Sequence, residues 1–259
     1  MSLPLSTTLP RAALVTGAAR RIGRALALEL GRLGFAVAVH CHRSRQEADG
    51  VAAEIAAAGG KAVVIAADLS RESATATVIP QARAALGPLG VLVNNASVFE
   101  RDEALTATRE SWDAHLETNL RAPFRLSQDF ARQLPDGQDG AIVNMVDQRV
   151  WNLTAHFVSY TLSKAGLWTL TQTLALALAP RIRVNAIGPG PVLPSPRQSE
   201  AQFARQVTSV PLQRAPSVDE IAATLRFILT TPSLTGQMIA LDGGQHLNWA
   251  APAAAPVNE

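Results

Sequence analysis

The chain has 259 residues, of which 47% are hydrophobic and 17% charged, and its formal net charge is +2. This length allows one large α/β domain or two small ones, and the balance of apolar to charged residues is typical of a compact globular protein. The small net charge, with no run of Lys or Arg, gives no indication of nucleic-acid binding, and the single cysteine, Cys41, excludes an internal disulfide and a cysteine metal cluster.

Short apolar runs alternate with longer amphipathic stretches along the whole chain. Seven runs are predicted to be strands: 12–15, 36–39, 62–66, 91–93, 141–145, 183–186 and 238–241. Six stretches are predicted to be helices: 21–33, 45–58, 70–86, 109–133, 159–178 and 218–230. Most of the strands lack polar alternation, as expected when both faces of a sheet are buried. The pattern predicts an α/β fold with a single Rossmann-type, doubly wound parallel sheet of about seven strands, flanked by helices on both faces.

The longest stretch predicted to be irregular is the proline-rich segment 188–211, which follows the sixth strand. Long loops in compact domains are usually functional, and ligands of open α/β sheets bind at the carboxyl ends of the strands. This segment is therefore expected to border a binding site.

The sequence shows neither the pattern of a signal peptide nor that of a membrane-spanning helix. Residues 1–10 lack a charged start and an apolar run, and the most apolar stretch, 162–179, is interrupted by polar residues. We expect residues 1–10 to be a flexible N-terminal segment, 11–249 to form one domain and 250–259 to be a flexible tail. The single cysteine favours a reducing compartment, so a cytoplasmic location without membrane contact is expected.

The first predicted strand leads into Thr-Gly-Ala-Ala-Arg-Arg-Ile-Gly and then into a helix. Gly17 allows a tight turn and Gly23 allows close packing of the helix, whose N-terminal N–H groups and positive dipole end would face a pyrophosphate. An ordinary strand–helix turn is the alternative, but the position after the first strand of an α/β pattern favours a dinucleotide site. The residues assigned to this phosphate loop are Gly17, Arg20, Arg21, Ile22 and Gly23.

The end of the second strand predicts which dinucleotide is bound. NAD-preferring sites usually have an acid there, whereas this chain has His-Cys-His-Arg-Ser. Arg43 and Arg21 could approach an adenosine 2′-phosphate, Ser44 could donate a hydrogen bond to it, and His42 lies between these groups and the strand. The alternative for Arg43 is a solvated residue at the start of a helix. We predict NADPH/NADP+ as the cofactor.

Tyr160 and Lys164 lie four residues apart at the start of a predicted helix and therefore share one face. A nearby ammonium group favours the phenolate and is expected to lower the tyrosine pKa from its usual value of about 10. Such a pair is common by chance. It gains specificity here from the phosphate loop, from Asn-Asn-Ala-Ser after the fourth strand and from Asn119 in the following helix.

Together these motifs resemble the short-chain dehydrogenase/reductase family over almost the whole chain. The resemblance implies that Tyr160 is the catalytic acid, that Lys164 binds the nicotinamide ribose, and that Asn119 supports a proton-relay water. It also implies a homotetramer assembled through helices 109–133 and 159–178. The further residues expected at the cofactor are Asp68 and Leu69 at the adenine, Asn95, Ala96 and Ser97 along the dinucleotide, and Pro189 and Gly190.

Two residues depart from the usual pattern of that family. Arg21 replaces the central glycine of the phosphate loop, and Asp147 replaces the serine about thirteen residues before the tyrosine. A carboxylate would repel a developing alkoxide, so simple ketone reduction is disfavoured and a substrate with N–H groups or a C=N bond is favoured. The negative charge would also raise the pKa of Tyr160 and keep it protonated. An inactive family member is the alternative.

Both departures occur together in the pteridine reductases and the related bacterial dihydromonapterin or dihydrofolate reductases. This subgroup also resembles the chain in Asn-Asn-Ala-Ser-Val-Phe, Asn-Met-Val-Asp and Leu-Asp-Gly-Gly-Gln-His-Leu. The resemblance implies that Asp147 and Tyr160 together protonate a pterin and that Phe99 stacks on its ring, ordinary core packing being the alternative for Phe99. Ser97 and Arg21 could bind the polar edge of the pterin.

The sequence therefore predicts a reductase that transfers hydride from NADPH to a C=N bond of dihydrobiopterin, dihydromonapterin or dihydrofolate. Two alternatives stay open: an NADP-dependent reductase of another carbonyl or imine, and a dinucleotide-binding regulator without turnover. His115, His156 and His246 have no spacing that suggests a metal site, so no metal is expected. The four tryptophans lack the interleaved basic residues of a base-stacking surface, which again argues against nucleic acid.

Overall fold

The computed structural model describes residues 4–195 and 198–247. Its centre is one parallel sheet of seven strands in the order β3-β2-β1-β4-β5-β6-β7. The strands are β1 (Ala12–Val15), β2 (Ala36–Cys41), β3 (Ala62–Ala66), β4 (Val91–Asn94), β5 (Gly140–Met145), β6 (Ile182–Pro189) and β7 (Met238–Leu241). The predicted doubly wound α/β fold is confirmed.

Helices connect the strands and cover both faces of the sheet. They are α1 (Arg21–Arg32), α2 (Arg45–Ala57), α3 (Glu72–Leu86), α4 (Arg109–Leu116), α5 (Ala122–Gln133), α6 (Val158–Ala177), α7 (Glu200–Ser209) and α8 (Val218–Thr230). Short 3₁₀ helices span Gln148–Val150 and Gln245–Leu247. Strand order reverses on either side of β1 and β4, and this switch point is where open α/β sheets bind ligands.

The core consists of two apolar layers, one on each face of the sheet. Alternate residues of β1 point into different layers: Ala13 and Val15 into one, Leu14 into the other. The first layer is completed by α1, α2 and α8, and the second by α3, α5 and α6. Burial on both faces explains why the strand sequences are continuously apolar.

The helix predicted over 109–133 is divided into three parts. Between α4 and α5 the chain forms a π-helical turn, Glu117–Arg121, in which the N–H of Ala122 bonds to the carbonyl of Glu117. Pro123, in the first turn of α5, has no N–H and cannot continue the α-helical ladder, which gives a physical reason for the wider turn. The turn contains Asn119, one of the predicted site residues.

The prediction of an irregular segment over 188–211 is wrong in its second half, which contains α7. Ser199 accepts a hydrogen bond from the N–H of Gln202, and the Gln202 side chain accepts one from the N–H of Ser199. This capping box satisfies N–H groups that would otherwise be unpaired at the start of α7. None of the residues of α7 is fully buried, and its apolar stripe is limited to the half-buried Phe203 and Val207, four residues apart, within a segment that the prolines marked as irregular.

At the N-terminal end, Leu9 lies within the segment predicted to be flexible, yet it is buried in the first core layer. The predicted tail, 250–259, lies outside the described residues. Within residues 4–195 and 198–247, no helix is both long and apolar enough to cross a membrane. The same part of the chain contains no group of three His, Cys, Asp or Glu residues that could hold a metal ion.

Candidate active site

The loop between β1 and α1 has the shape of a phosphate-binding turn. Gly17 has a φ of 62°, in the left-handed region that favours glycine. A Cβ on Gly23 would lie 2.1 Å from the carbonyl oxygen of Gly17, so only glycine fits there. Arg20, at the start of α1, makes no side-chain capping hydrogen bond, which leaves the first N–H groups of this helix without a side-chain acceptor. These features fit a bound pyrophosphate.

Thr16 and Asn95 hold this loop against the neighbouring strand β4. The Thr16 hydroxyl accepts hydrogen bonds from the N–H groups of Asn95 and Ala96, at 2.9 and 3.0 Å. In return, Nδ2 of Asn95 donates to the carbonyls of Thr16 and Gly17, at 2.8 and 3.1 Å. The predicted Asn95 therefore shapes the loop, in addition to bordering its cavity.

His40 supports the same loop, and sequence analysis gave it no role. Its Nδ1 accepts the N–H of Gly17 at 3.1 Å, which requires that Nε2 carry the proton it donates to the carbonyl of Ala67. Burial lowers the pKa of His40 to about 4, so the ring is neutral at physiological pH and keeps this arrangement. The only sequence signal was a histidine inside an apolar strand.

A cavity of about 590 Å³ extends from the phosphate loop along the ends of β2 and β3. Twelve predicted cofactor residues line it: Gly17, Arg20, Arg21, Ile22, Gly23, His42, Arg43, Asp68, Leu69, Asn95, Ala96 and Ser97. Ser44 does not line the cavity, and its hydroxyl accepts a hydrogen bond from the Arg20 guanidinium instead. These twelve residues are thus brought together around one cavity. Ser44 contacts one of them, Arg20, but does not line the cavity itself.

A second cavity, of about 790 Å³, contains the predicted catalytic groups. The Tyr160 hydroxyl donates a hydrogen bond of 2.8 Å to Oδ2 of Asp147, and the N–H of Arg149 donates one to Oδ1. Nζ of Lys164 donates to the carbonyl of Met145 at 2.7 Å and lies 5.7 Å from the centre of the Tyr160 ring. Pro189 and Gly190, which were predicted to bind the cofactor, line this second cavity and not the first.

Burial governs the protonation of these groups. Tyr160 is 6% exposed and Lys164 is 2% exposed. Burial, followed by the Asp147 charge, raises the pKa of Tyr160 well above its usual value. The pKa of Tyr160 therefore shifts upward, in the direction predicted from Asp147 and opposite to the direction predicted from Lys164. Burial also lowers the pKa of Lys164 to about 8, although Asp147 acts in the opposite direction.

Asn119 connects the substrate side of the site to the catalytic helix α6. Its Oδ1 accepts the N–H of Val98, and its Nδ2 donates to the Val98 carbonyl and to the Ser163 hydroxyl, at 2.9 and 3.0 Å. Ser163 in turn donates to the carbonyl of Tyr160. Both polar atoms of the Asn119 side chain thus have hydrogen-bond partners within the protein, and its role in a proton relay stays a prediction.

Phe99 lines the second cavity and is 38% exposed, so it is not a residue of the apolar core. One face of its ring stacks on Phe157, at 4.5 Å and 9°, and Tyr160 contacts it edge-on at 4.6 Å. The Arg149 guanidinium lies 5.1 Å from the centre of the Phe157 ring. Sequence analysis missed Phe157, which precedes α6 with a φ of 61° and orients Phe99.

Ser97 and Arg21 line both cavities and thus lie where cofactor and substrate would meet. The Arg21 guanidinium, predicted to bind cofactor and substrate, donates to the carbonyls of Leu193 and Pro194. The remaining wall of the second cavity includes amide side chains that were not predicted: Gln148, Gln198, Gln202, Gln206 and Gln245.

A glycine-rich turn at the switch point of a parallel sheet, next to a buried tyrosine and lysine, defines a dinucleotide-dependent oxidoreductase. A profile of the short chain dehydrogenase family matches residues 11–204. The chain belongs to this family.

Similar proteins come from both sequence and structure. The 3-oxoacyl-acyl-carrier-protein reductase FabG of Staphylococcus aureus (strain Mu50) is 33% identical over 246 residues, which cover 92% of this chain and 99% of that protein. A probable 2,4-dienoyl-CoA reductase of Bacillus subtilis is 34% identical over 248 residues, with coverages of 92% and 97%.

Among solved structures, FolM alternative dihydrofolate reductase 1 from Brucella suis, in complex with NADP, is 49% identical. Its TM-score is 0.92, and the match covers 96% of this chain and all of that one. The corresponding Brucella canis protein, also complexed with NADP, is 48% identical with a TM-score of 0.90, and the coverages are 97% and 100%.

Replacing Gly23 by alanine should weaken dinucleotide binding strongly, because the new methyl group would lie 2.1 Å from the Gly17 carbonyl oxygen. Titration calorimetry with NADP+ should show at least a tenfold loss of affinity. The matched control is Gly50→Ala, an exposed position in α2 where a Cβ meets nothing within 4 Å. Equal affinities of the two variants would contradict the assignment of the phosphate loop.

Replacing Arg43 by aspartate should move cofactor preference from NADPH towards NADH, because the substitution removes a cation that a 2′-phosphate needs and adds a charge that repels it. The kcat/KM with NADPH divided by the kcat/KM with NADH should fall by at least tenfold. Arg45→Ala is the control, since Arg45 pairs with Asp49 on α2. An unaltered ratio would mean that Arg43 does not contact the nucleotide.

Proposed function

We propose that this protein is an NADPH-dependent reductase of a dihydropterin, namely dihydrobiopterin, dihydromonapterin or dihydrofolate, acting on a C=N bond. The observation that carries the proposal is the hydrogen bond of 2.8 Å from the Tyr160 hydroxyl to the Asp147 carboxylate. It lies in a cavity that also exposes the ring of Phe99.

NADP(H) is favoured over NAD(H) by the residues of the first cavity. Arg43 and His42 line it at the end of β2, where no acid is present to bind a free ribose 2′-hydroxyl. The NADP in the Brucella relatives supports the same choice. Bound NADPH would supply the hydride. Lys164 lies in the second cavity, beside the phosphate loop, where its ammonium would bind the nicotinamide ribose.

Tyr160 would supply the proton that the substrate nitrogen gains. Its raised pKa keeps the hydroxyl protonated, and Asp147 fixes the direction of that hydroxyl. When the proton leaves, the phenolate formed needs nearby cations: Nζ of Lys164 lies 5.7 Å from the ring centre, and the charge of Arg149 also favours the phenolate. The Asp147 carboxylate can accept a hydrogen bond from an N–H group of the substrate, as a pterin would present.

The same carboxylate disfavours reduction of a simple ketone. An alkoxide developing about 4 Å from Asp147 would be repelled by about 4 kcal/mol at an effective dielectric constant of about 20. This is about a thousandfold in rate. A C=N nitrogen is basic enough to take its proton as the hydride reaches the neighbouring carbon, so no full negative charge develops near Asp147 and a C=N substrate avoids most of this penalty. The exposed face of Phe99 could stack on a flat ring, which contributes about 0.5–1.5 kcal/mol beyond burial.

The second candidate is a reductase of a 3-oxoacyl thioester or another carbonyl, and the FabG relatives favour it. A regulator without turnover is less well supported, because Tyr160, Lys164 and Asp147 lie in one cavity with the expected contacts. An assay of NADPH oxidation with 7,8-dihydrobiopterin, dihydromonapterin, dihydrofolate and acetoacetyl-CoA separates the three. Turnover of pterins that Tyr160→Phe abolishes is expected. Turnover of the thioester alone, or of none, would overturn the proposal.

Replacing Asp147 by serine should lower kcat/KM for dihydropterins by at least tenfold, because the hydroxyl of Tyr160 loses its carboxylate partner and the substrate N–H loses an acceptor. Activity on acetoacetyl-CoA should rise or stay the same, because the repulsion of an alkoxide is removed. Asp136→Ser, at an exposed position, is the control. Wild-type kinetics with pterins in Asp147→Ser would exclude a role for Asp147.

The pH profile should report the ammonium of Lys164. Since its pKa is lowered to about 8 and the cationic form is the active one, kcat/KM should be constant below that pH and fall above it. Asp147 raises this pKa, so in Asp147→Asn the fall should begin at lower pH. A profile whose alkaline limb is unmoved, or moves to higher pH, would contradict this assignment.

A further inference from the structure

Arg21 has a backbone conformation that its side chain disfavours. Its φ is 54°, in the left-handed region, where a Cβ clashes with the neighbouring carbonyl and glycine is favoured. It is also the first residue of α1, within the phosphate loop. A residue held in such a conformation persists when its surroundings fix it, and it is often part of a functional device. The side chain of Arg21 should therefore have a specific use.

That use is visible in its hydrogen bonds. One terminal nitrogen of Arg21 donates to the carbonyl of Pro194 at 2.8 Å and the other to the carbonyl of Leu193 at 3.1 Å. We call residues 191–195 the strap, because they cross from the end of β6 over the second cavity, which all of them except Pro194 line. The guanidinium thus joins the phosphate loop to a segment about 170 residues further along the chain.

Contacts other than those of Arg21 hold the strap towards both of its ends. Pro191 and Pro194 have no N–H group. The N–H of Ser195 bonds to the side chain of Gln198, which lies beyond the strap, and Val192 packs against the first core layer. The two carbonyls that Arg21 binds lie between these contacts, so the guanidinium is a directed anchor for the middle of the strap.

We infer that Arg21 is a positioning residue through which dinucleotide binding in the first cavity orders the strap over the second. A phosphate bound to the N–H groups at the start of α1 would fix the backbone of Arg21 and so direct its side chain. A guanidinium has five N–H donors, and two are used here, so the strap need not be released when an anion binds nearby. By linkage, closure of the strap on a substrate strengthens dinucleotide binding by the same factor. The inference rests on the proposed dinucleotide site and not on the identity of the substrate.

The test is hydrogen–deuterium exchange of the strap amides, Val192, Leu193 and Ser195, with and without saturating NADP+. In the wild-type protein, NADP+ should slow their exchange at least threefold. In Arg21→Gly, exchange without nucleotide should be faster than in the wild type, and the response to NADP+ should disappear. This variant is expected to fold, because glycine favours the φ of this position. Arg21→Lys keeps the charge but not the fork of donors, and it should be intermediate.

Arg43→Ala separates affinity from coupling. It should weaken NADP+ binding, yet at saturation its strap should respond as in the wild type. Steady-state kinetics give a second measure: at saturating NADPH, Arg21→Gly should raise the KM for the substrate by at least fivefold, and by a larger factor than it lowers kcat.

Three results would test whether Arg21 anchors the strap and whether it couples the strap to NADP+ binding. Unchanged strap exchange in nucleotide-free Arg21→Gly would overturn the role of Arg21 as an anchor. A response to NADP+ that this variant retains would overturn the coupling. If calorimetry shows no NADP+ binding to the wild type, the proposed cofactor is wrong and the coupling fails with it, while the nucleotide-free comparison still decides whether Arg21 anchors the strap.

Discussion

All seven strands run in the same direction, so every strand ends at the same edge of the sheet. This constraint brings together residues that are far apart in the chain, because the loop after each strand begins at that edge. The residues supplied by successive strand ends are Gly17, His42, Asp68, Asn95, Asp147, Gly190 and Asp242. The apolar layers on both faces hold the strands in register, and the loops at the edge are free to carry polar chemistry.

Within this frame, burial determines the chemistry of the site more than pairwise charge does. Tyr160 and Lys164 both lie on the first two turns of α6, where they are almost fully enclosed. Enclosure disfavours a charge on either group. It therefore raises the pKa of the Tyr160 phenol and lowers the pKa of the Lys164 ammonium. The Asp147 charge adds to the rise in the pKa of Tyr160 and opposes the fall in the pKa of Lys164. A single carboxylate therefore keeps both the proton donor and the cation in their protonated forms.

Much of this arrangement could be predicted from the sequence, since it depends on local patterns. Continuous apolar runs predicted the strands, and the glycines at 17 and 23 predicted the phosphate loop because a side chain at either position is strained or obstructed. The features that were missed depend on tertiary contacts. His40 and Phe157 act through partners distant in sequence or through an unusual backbone angle. The helix α7 has only a short apolar stripe, and the π-helical turn lies within a stretch whose apolar pattern continues through it.

The pKa of Tyr160 shows why a correct choice of residues can still give the wrong electrostatics. The spacing of Tyr160 and Lys164 indicates proximity, and proximity to an ammonium favours the phenolate. Spacing does not indicate how much water the fold removes, and here the loss of water is the largest cause of the shift and raises the pKa of Tyr160. The ammonium itself is engaged by the Met145 carbonyl, with its nitrogen 5.7 Å from the ring centre.

The sequence relatives named as 3-oxoacyl reductases and the solved relatives named as dihydrofolate reductases are compatible once the parts of the site are considered separately. The sheet, the phosphate loop and the Tyr160–Lys164 pair are the parts we propose to serve hydride transfer itself, and such parts can be shared by reductases of different substrates. The two positions that depart from the usual family pattern, Arg21 and Asp147, both face the second cavity. Asp147 lines the second cavity alone, whereas Arg21 lines both cavities, so these two changes alter the substrate side of the site while the remaining cofactor residues keep the family pattern. Substrate identity in this protein should therefore be sought in these two side chains and in what they hold, the strap and the Tyr160 hydroxyl.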